Sequence, residues 1–336
     1  MWPRSRVPFA LLLALTLLLL KRRRRRCAIR QKYEACLNKV KKTAAVHELR
    51  TRGSRLHVPP SDVVMPREID VVISGGGFWS IYAGAVCFVL KQHGIRIRRL
   101  AGTSAGAHTA LLVHQGKDAI DDGFLWAIAA TEAVRDVGAH TFLEDLWTVF
   151  FRDRVSSPPP PGELTIGVTE LSHLPHCKRV DTFDDGDHLL DALIATARIP
   201  GLYAREDSNS GRRACSHRPG VLLAACRSFG LCRQRWHQHH RLAIDGAASE
   251  LCPLFTDGAR PQLVLYWDDL RARYGGLSGF GLPSSTIFEL GHLGIDAACD
   301  LLRGETSTLA ATLLHPSDPP PRIATVYEAV YEHWCK

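Results

Sequence analysis

The chain has 336 residues, 46% of them hydrophobic and 23% charged, which suits one large α/β domain with appendages. Its formal net charge of +8 is lopsided: residues 1–60 hold 16 Lys/Arg against 2 Asp/Glu, a net +14, and +8 less +14 leaves −6 for the rest. A basic arm on an acidic body excludes a nucleic-acid-binding body and points the arm at an anionic surface. Ten cysteines without a C-x-x-C, several in apolar surroundings such as Cys87 and Cys299, exclude a disulfide framework and fit a reducing compartment.

In chain order, residues 7–20 are apolar but for Thr16, and Lys21 with the arginines 22–26 follows at once. Fourteen helical residues reach about 21 Å against a hydrocarbon core of about 30 Å; counted from Trp2, with Arg4 and Arg6 snorkelling, the reach is about 28 Å. A cleaved signal peptide fits poorly. The small-x-small cleavage pattern is missing after Leu20, and six consecutive cations oppose translocation. Residues 1–26 therefore read as a single hydrophobic anchor with a polybasic flank, the rest of the chain facing the cytosol. Residues 27–62 read as a basic juxtamembrane helix or tether that ends at Pro59 and Pro60, and residues 63–336 as the globular domain.

That domain opens with a buried strand, Ile69-Asp70-Val71-Val72-Ile73-Ser74, running into Gly75-Gly76-Gly77 and a helix over residues 82–93. Glycines between a strand and a helix leave backbone N–H groups unobstructed near a positive helix terminus, an anion site. A second strand-compatible run, residues 97–101, leads to Gly102-Thr103-Ser104-Ala105-Gly106 and a helix over 107–113. This G-x-S-x-G in a strand–turn–helix context is a nucleophile elbow: Ser104 takes a strained backbone and presents its Oγ at the end of a sheet, and Gly102 and Gly106 avoid Cβ clashes as strand and helix close. Beside such a serine the loop Gly75, Gly76, Gly77 becomes an oxyanion hole.

Two amphipathic helices follow, over 121–134 and 142–151, rich in Phe and Trp; they suit core packing or an acyl-chain wall. Residues 156–162, with four prolines, read as a surface loop, and 187–197 as a helix stopped by Pro200. Residues 204–241 read as a solvated basic insertion. Their Cys215, His217, Cys226, Cys232, His237, His239 and His240 match no standard zinc spacing, so no metal is expected. Leu242-Ala243-Ile244 then leads into Asp245-Gly246-Ala247, a carboxylate at a strand end before a glycine turn. Asp245 can take the serine's proton directly if burial raises its pKa. Residues 262–267 read as a further strand, 271–281 as a loop, and 287–303 and 323–334 as closing helices.

These pieces, in this order, resemble the patatin-like phospholipase family, and most closely its adiponutrin and adipose triglyceride lipase branch. Gly75-Gly76-Gly77-Phe78 with Tyr82 is similar to that branch's glycine loop. Asp245-Gly246-Ala247, with Pro253 eight residues after the aspartate, is similar to its Asp-Gly-Gly segment. Residues 163–169 are similar to the family's middle strand, and Ala195-Thr196-Ala197 through Pro200 to a segment that packs near the catalytic pair. The resemblance covers roughly residues 68–270. It implies a three-layer α/β/α sandwich around a central, mostly parallel sheet, and hydrolysis of lipid acyl esters by a Ser104–Asp245 dyad through an acyl-serine. It also implies a lipid substrate at a membrane or droplet surface, and no cofactor. Many patatins carry a basic residue and then glycine where Trp79 and Ser80 stand, so an inactive lipid-binding or droplet scaffold of the same fold is the alternative. Two further readings compete. An α/β-hydrolase triad on Ser104 needs a histidine after the acid, and His292 and His315 qualify by order. A nucleotide phosphate loop at Gly75-Gly76-Gly77 lacks both its third glycine and a Gly-Lys-Ser/Thr ending.

Overall fold

The computed structural model describes residues 9–55, 58–135, 143–171, 175–197, 232–236, 239–244, 246–248, 250–266, 270, 273–274, 282–305 and 310–319. Its helices are α1 (Phe9–Val40), α2 (Ala44–Arg55), α3 (Ser80–Gln92), α4 (Ala105–Gln115), α5 (Lys117–Arg135), α6 (Leu143–Arg152), α7 (Gly186–Thr196) and α8 (Ser284–Arg303). Its strands are β1 (Glu68–Ile73), β2 (Arg96–Thr103), β3 (Leu164–Leu171), β4 (Pro175–Val180), β5 (Cys232–Trp236), β6 (His239–Ile244), β7 (Gln262–Leu265) and β8 (Ala311–Leu314).

The strands form one eight-stranded sheet in the order β5-β6-β3-β2-β1-β7-β8, with β4 also on β3. The central strands β3, β2, β1 and β7 are parallel, and the flanking pairs are antiparallel. β1 and β7 are almost wholly buried because parallel strands are covered on both faces. The chain steps from β1 through α3 to β2 and through α4 to β3 in one direction. Right-handed crossovers then put α3 and α4 on the same face, where they pack on each other and α8 packs on α3. The result is a mixed α/β fold with helices flanking a sheet whose centre is parallel. Strand pairing fixes the site as well. Residues 164–167 of β3 pair with β2, residues 169–171 pair with β6, and β4 spans both stretches. β2 and β6 therefore share one edge of β3 and meet end to end, the last residue of β2, Thr103, facing Gly167 and the last of β6, Ile244, facing Thr169.

Two stretches differ from the sequence reading. Residues 204–241 read as a solvated insertion, yet β5 and the first half of β6 lie inside it and extend the sheet as an antiparallel pair; residues 204–231 and 237–238 lie outside the described residues. Residues 27–62 read as a basic juxtamembrane helix or tether; α1 and α2 make much of this stretch helical, and their buried residues pack it into the domain. Ile29 and Val40 of α1 and Val46 of α2 are buried, and Tyr33 and Leu37 pack against the core. Positions 29, 33, 37 and 40 repeat at helical spacing and dock this half of α1 on α5. Among the described residues no helix is long and apolar enough to cross a membrane. The expected anchor was counted from Trp2, and residues 1–8 lie outside the described residues.

Candidate active site

β2 ends by delivering Thr103 and then Ser104, whose φ of 51° and ψ of −133° are strained for a residue with a side chain. Among the described non-glycine residues only Ala310 shares a positive φ. The strain persists because the elbow is wedged tightly. A Cβ on Gly102 would lie 2.6 Å from Ala107 N, and one on Gly106 would lie 2.3 and 2.4 Å from the carbonyl oxygens of Ile73 and Ser74. The elbow thus sits directly on the end of β1, whose continuation is the glycine loop.

The glycine loop meets two other segments there. A Cβ on Gly75 would fall 3.0 Å from the Ser104 Cβ and 2.8 Å from the Ala247 Cβ. A Cβ on Gly246 would fall 2.0 Å from Gly167 O and 2.9 Å from Thr196 Oγ1. Ser104, Gly75, Gly102, Gly106, Gly246 and Ala247 therefore converge at one end of the sheet. Asp245 lies outside the described residues; its neighbours Ile244 and Gly246 are described.

Three buried threonines, each 0% exposed, hold these segments in place. Thr196 Oγ1 accepts the Ser104 N–H at 2.8 Å and donates to Gly167 O. Thr103 Oγ1 accepts the Gly75 N–H at 3.1 Å and donates to Leu251 O at 2.8 Å. Thr169 Oγ1 donates to Gly246 O at 3.3 Å. The sequence reading carried Thr103 only within the G-x-S-x-G motif and Thr169 and Thr196 only within segments of the resemblance, and gave none of them a role. The available signal was a hydroxyl residue inside otherwise apolar strands, each needing a partner once buried.

These bonds sort the expected oxyanion donors. The Gly75 N–H is engaged by Thr103 Oγ1, which removes it from the set. Gly76 and Gly77 follow at φ values of 155° and 60°, and their N–H groups donate no hydrogen bond among the described residues. Ser80 does not crowd this loop. Its buried Oγ donates to Gly77 O at 3.0 Å, and its N–H donates to the same carbonyl, so the carbonyl of the Gly77–Phe78 peptide is held by two donors. Trp79 is buried and packs on Tyr274 with ring centroids 5.9 Å apart, so it brings no charge to the loop.

One turn beyond the nucleophile, His108 is buried with its Nδ1 3.0 Å from Ser104 O. A carbonyl only accepts, so Nδ1 carries the proton. Burial pushes the pKa of His108 down to about 4, and the neutral ring stacks on Trp147 at 4.5 Å and tilts against Phe151 at 4.9 Å. This trio lines an apolar cavity of about 100 Å³. The cavity starts at Gly77, Ala105 and His108, beside Ser104, and continues between α3, α4 and α5 past Leu112 and Phe124. The aromatic residues of α5 and α6 are thus both core and cavity wall.

The histidines proposed for a triad are elsewhere. Nδ1 of His292 lies 3.3 Å from the Arg52 guanidinium in an exposed contact. His315 follows Leu314, which faces Gln262 at the start of β7, the end of the sheet opposite the elbow. Neither takes part in the site, which corrects the triad reading. Among the described residues no group of His, Cys, Asp and Glu is placed to hold a metal ion. Of the candidate zinc ligands, Cys232, His239 and His240 fall on β5 and β6, and the rest lie outside the described residues.

A search of curated proteins found nothing that matches the chain. The family model for the patatin-like phospholipase domain matches residues 71–256, from the middle of β1 past the Gly246 turn. That stretch is more than half of the chain and contains the glycine loop, the elbow and the Asp-Gly-Ala turn, so the chain belongs to the patatin-like phospholipase family.

Proposed function

We propose that this chain hydrolyses lipid acyl esters with Ser104 as nucleophile and Asp245 as its base. Family membership implies lipid acyl hydrolysis in general; the assignment of roles is ours. The observation that carries it is the convergence of a strained Ser104 on Gly75 and Ala247 at one sheet end. Covalent connection keeps residue 245 within one peptide of Gly246, about 3.8 Å between α-carbons, and Gly246 packs against Gly167 and Thr196, the same Thr196 that binds the Ser104 N–H.

In this mechanism Ser104 Oγ attacks the ester carbonyl carbon as the Asp245 carboxylate takes the hydroxyl proton. The N–H groups of Gly76 and Gly77 hold the tetrahedral oxyanion; losing one such donor typically slows the reaction about 100- to 1000-fold. Collapse expels the alcohol, which receives the proton from Asp245. Water then attacks the acyl-serine, giving its proton to Asp245, which passes it to the leaving Ser104 Oγ, so that the hydroxyl and the carboxylate are both restored as the acid departs. The acyl chain occupies the apolar cavity that begins beside Ala105. We place the chain in the adiponutrin-like branch on its glycine loop and Asp-Gly-Ala segment, with the arm of α1 at an anionic membrane or droplet surface and the catalytic body on the cytosolic side. Each cation near such lipid adds about 1 kcal/mol of attraction.

The inactive-scaffold reading rests on Trp79 and Ser80, which stand where many patatins carry a basic residue and then glycine. Fluorophosphonate labelling in mild detergent separates the two. Labelling that vanishes in Ser104→Ala and is much reduced in Asp245→Asn supports the dyad. A folded wild-type protein that takes no label supports the scaffold.

A further inference from the structure

Two walls of the apolar cavity come from outside the family-matched residues: Leu49 on α2 and Ile295 on α8. α2 reaches this position because it is docked, with Val46 buried at 1% exposure and Arg52 Nη2 2.6 Å from Asp296 Oδ1 on α8. Leu49 rests on Gly291 of α8. A Cβ at Gly291 would lie 3.1 and 3.2 Å from the two Leu49 methyls and 3.2 Å from Phe124 Cε2, and both of these side chains line the cavity.

The cavity has one evident occupant. It is lined almost wholly by carbon, and its wall includes Gly77 of the glycine loop, Ala105 of the elbow and, further along α4, Leu112. Seven residues of helix separate Ala105 from Leu112, about 10 Å. A linear alkyl chain attached to a carbonyl at Ser104 is what such a channel fits. At about 100 Å³ it is small, so a change of a few methyl groups in its wall is a large fraction of the space. We infer that Leu49, seated on Gly291, closes this cavity and sets how long an acyl chain it accepts. The inference rests on the ester-hydrolase reading above and assigns chain-length specificity to the N-terminal arm rather than to the family-matched fold.

The two contacts are opposite levers on one volume. Leu49→Ala removes the isobutyl tip and enlarges the cavity. Gly291→Ala adds a Cβ in a place tighter than ordinary contact, and the groups it displaces, Leu49 and Phe124, yield inward at the cavity's expense. We would measure kcat/KM for p-nitrophenyl butyrate, octanoate, dodecanoate and palmitate in mild detergent. Because one methylene in an apolar pocket is worth about tenfold or more, Leu49→Ala is expected to raise the dodecanoate-to-butyrate ratio about tenfold and Gly291→Ala to lower it comparably. Leu49→Val, a milder truncation, should move the ratio the same way as Leu49→Ala by less, and covers the case in which Leu49→Ala does not fold. Labelling of Ser104 by a short-chain fluorophosphonate counts the folded, competent molecules of each variant, and the ester rates are normalised to it.

The inference is overturned if labelled, folded variants leave the ratio where it was, or if the two levers move it in the same direction. Displacement of a fluorescent fatty acid by the four free acids gives the same selectivity without any chemistry. If the wild-type protein turns over no ester, the hydrolase reading fails. The binding selectivity of the variants then still decides between a cavity gauged by Leu49 and one that is not.

Discussion

The two ends of the β1–β2 pair are both tied by buried polar groups, and the groups are of opposite kinds. Where β1 and β2 finish, the links are neutral: Thr103, Thr169 and Thr196 tie the glycine loop, the elbow and the Gly246 turn together through backbone amides and carbonyls. Where the same strands begin, the links are charged. Asp70, 0% exposed and set at the register shift between Ile69 and Val71, accepts from Arg99 Nε at 2.9 Å and from Arg99 Nη2 at 2.5 Å. Arg99 bridges on to Asp257 and lies 4.2 Å over the Phe255 ring, and Arg260 stands 3.7 Å from the other Asp70 oxygen. Arg99 pulls the Asp257 carboxyl down to about 2 by its hydrogen bond. A charge acts at a distance that falls only as 1/r, whereas a neutral hydrogen bond acts where it is made. Five residues of extended chain, about 17 Å, separate Arg99 of the ion cluster from Ser104 at the elbow. Strong charges close the fold at one end, and the reacting groups at the other are positioned by bonds that bring no net field of their own.

The charged end gives the largest expected effect. Asp70→Ala leaves Arg99 facing a buried gap and should destabilise the fold by about 3–5 kcal/mol, read as a lower urea midpoint. The fluorophosphonate labelling rate per folded molecule should stay at the wild-type value. A labelling rate that collapsed while the protein remained folded would break the separation of the two ends.

How far this division could be read from the amino-acid sequence depends on what each residue's partner is. The elbow glycines are legible because the constraint is local: Gly102 and Gly106 collide with atoms a few residues away or with the strand next door in a standard motif. The central strands are legible where burial on both faces leaves short apolar runs, as in Val71-Val72-Ile73 and Leu263-Val264-Leu265. β4, β5 and β8 are not, since short edge strands carrying Lys178, Arg179, Arg233 and Arg235 show no alternation and exist only because a partner strand pairs with them. The docking of α1 is hidden by its charge. Ile29, Tyr33, Leu37 and Val40 have helical spacing, but basic residues around them read as a tether. Thr196 reads as a polar residue near a helix end; nothing local says that its hydroxyl bridges Ser104 to Gly167. Leu49 as a cavity wall is equally a tertiary fact.

His108 sharpens the comparison, because it is a titratable group at the neutral end. Its pKa falls from 6.5 to about 4 through burial between Trp147 and Phe151, the Ser104 carbonyl offsetting part of the shift. Between those values the unfolded chain binds a proton that the folded one refuses. Stability is therefore full above about pH 6.5 and declines as pH falls towards 4, by about 3 kcal/mol in all at 1.36 kcal/mol per pH unit. His108→Leu should flatten that part of the stability–pH curve. A curve that kept its slope would assign the acid sensitivity to other groups.

The smallest effect on stability should be the most informative about the reaction. Thr196→Val keeps the shape of the side chain but leaves the buried Ser104 N–H without an acceptor and Gly167 O without a donor, a loss of about 1–3 kcal/mol. Thr196→Ser restores both bonds and should restore stability. If the neutral network exists to hold the strained elbow, Thr196→Val should also slow fluorophosphonate labelling of the folded protein, by about tenfold for each 1.36 kcal/mol lost from the orientation of Ser104, and Thr196→Ser should label as wild type does. Asp70→Ala, the larger lesion, should leave that rate alone. A Thr196→Val protein that is less stable yet labels at full speed would reduce the threonine network to packing. The role of holding the elbow would then pass to the contact of Gly106 with the Ile73 and Ser74 carbonyls.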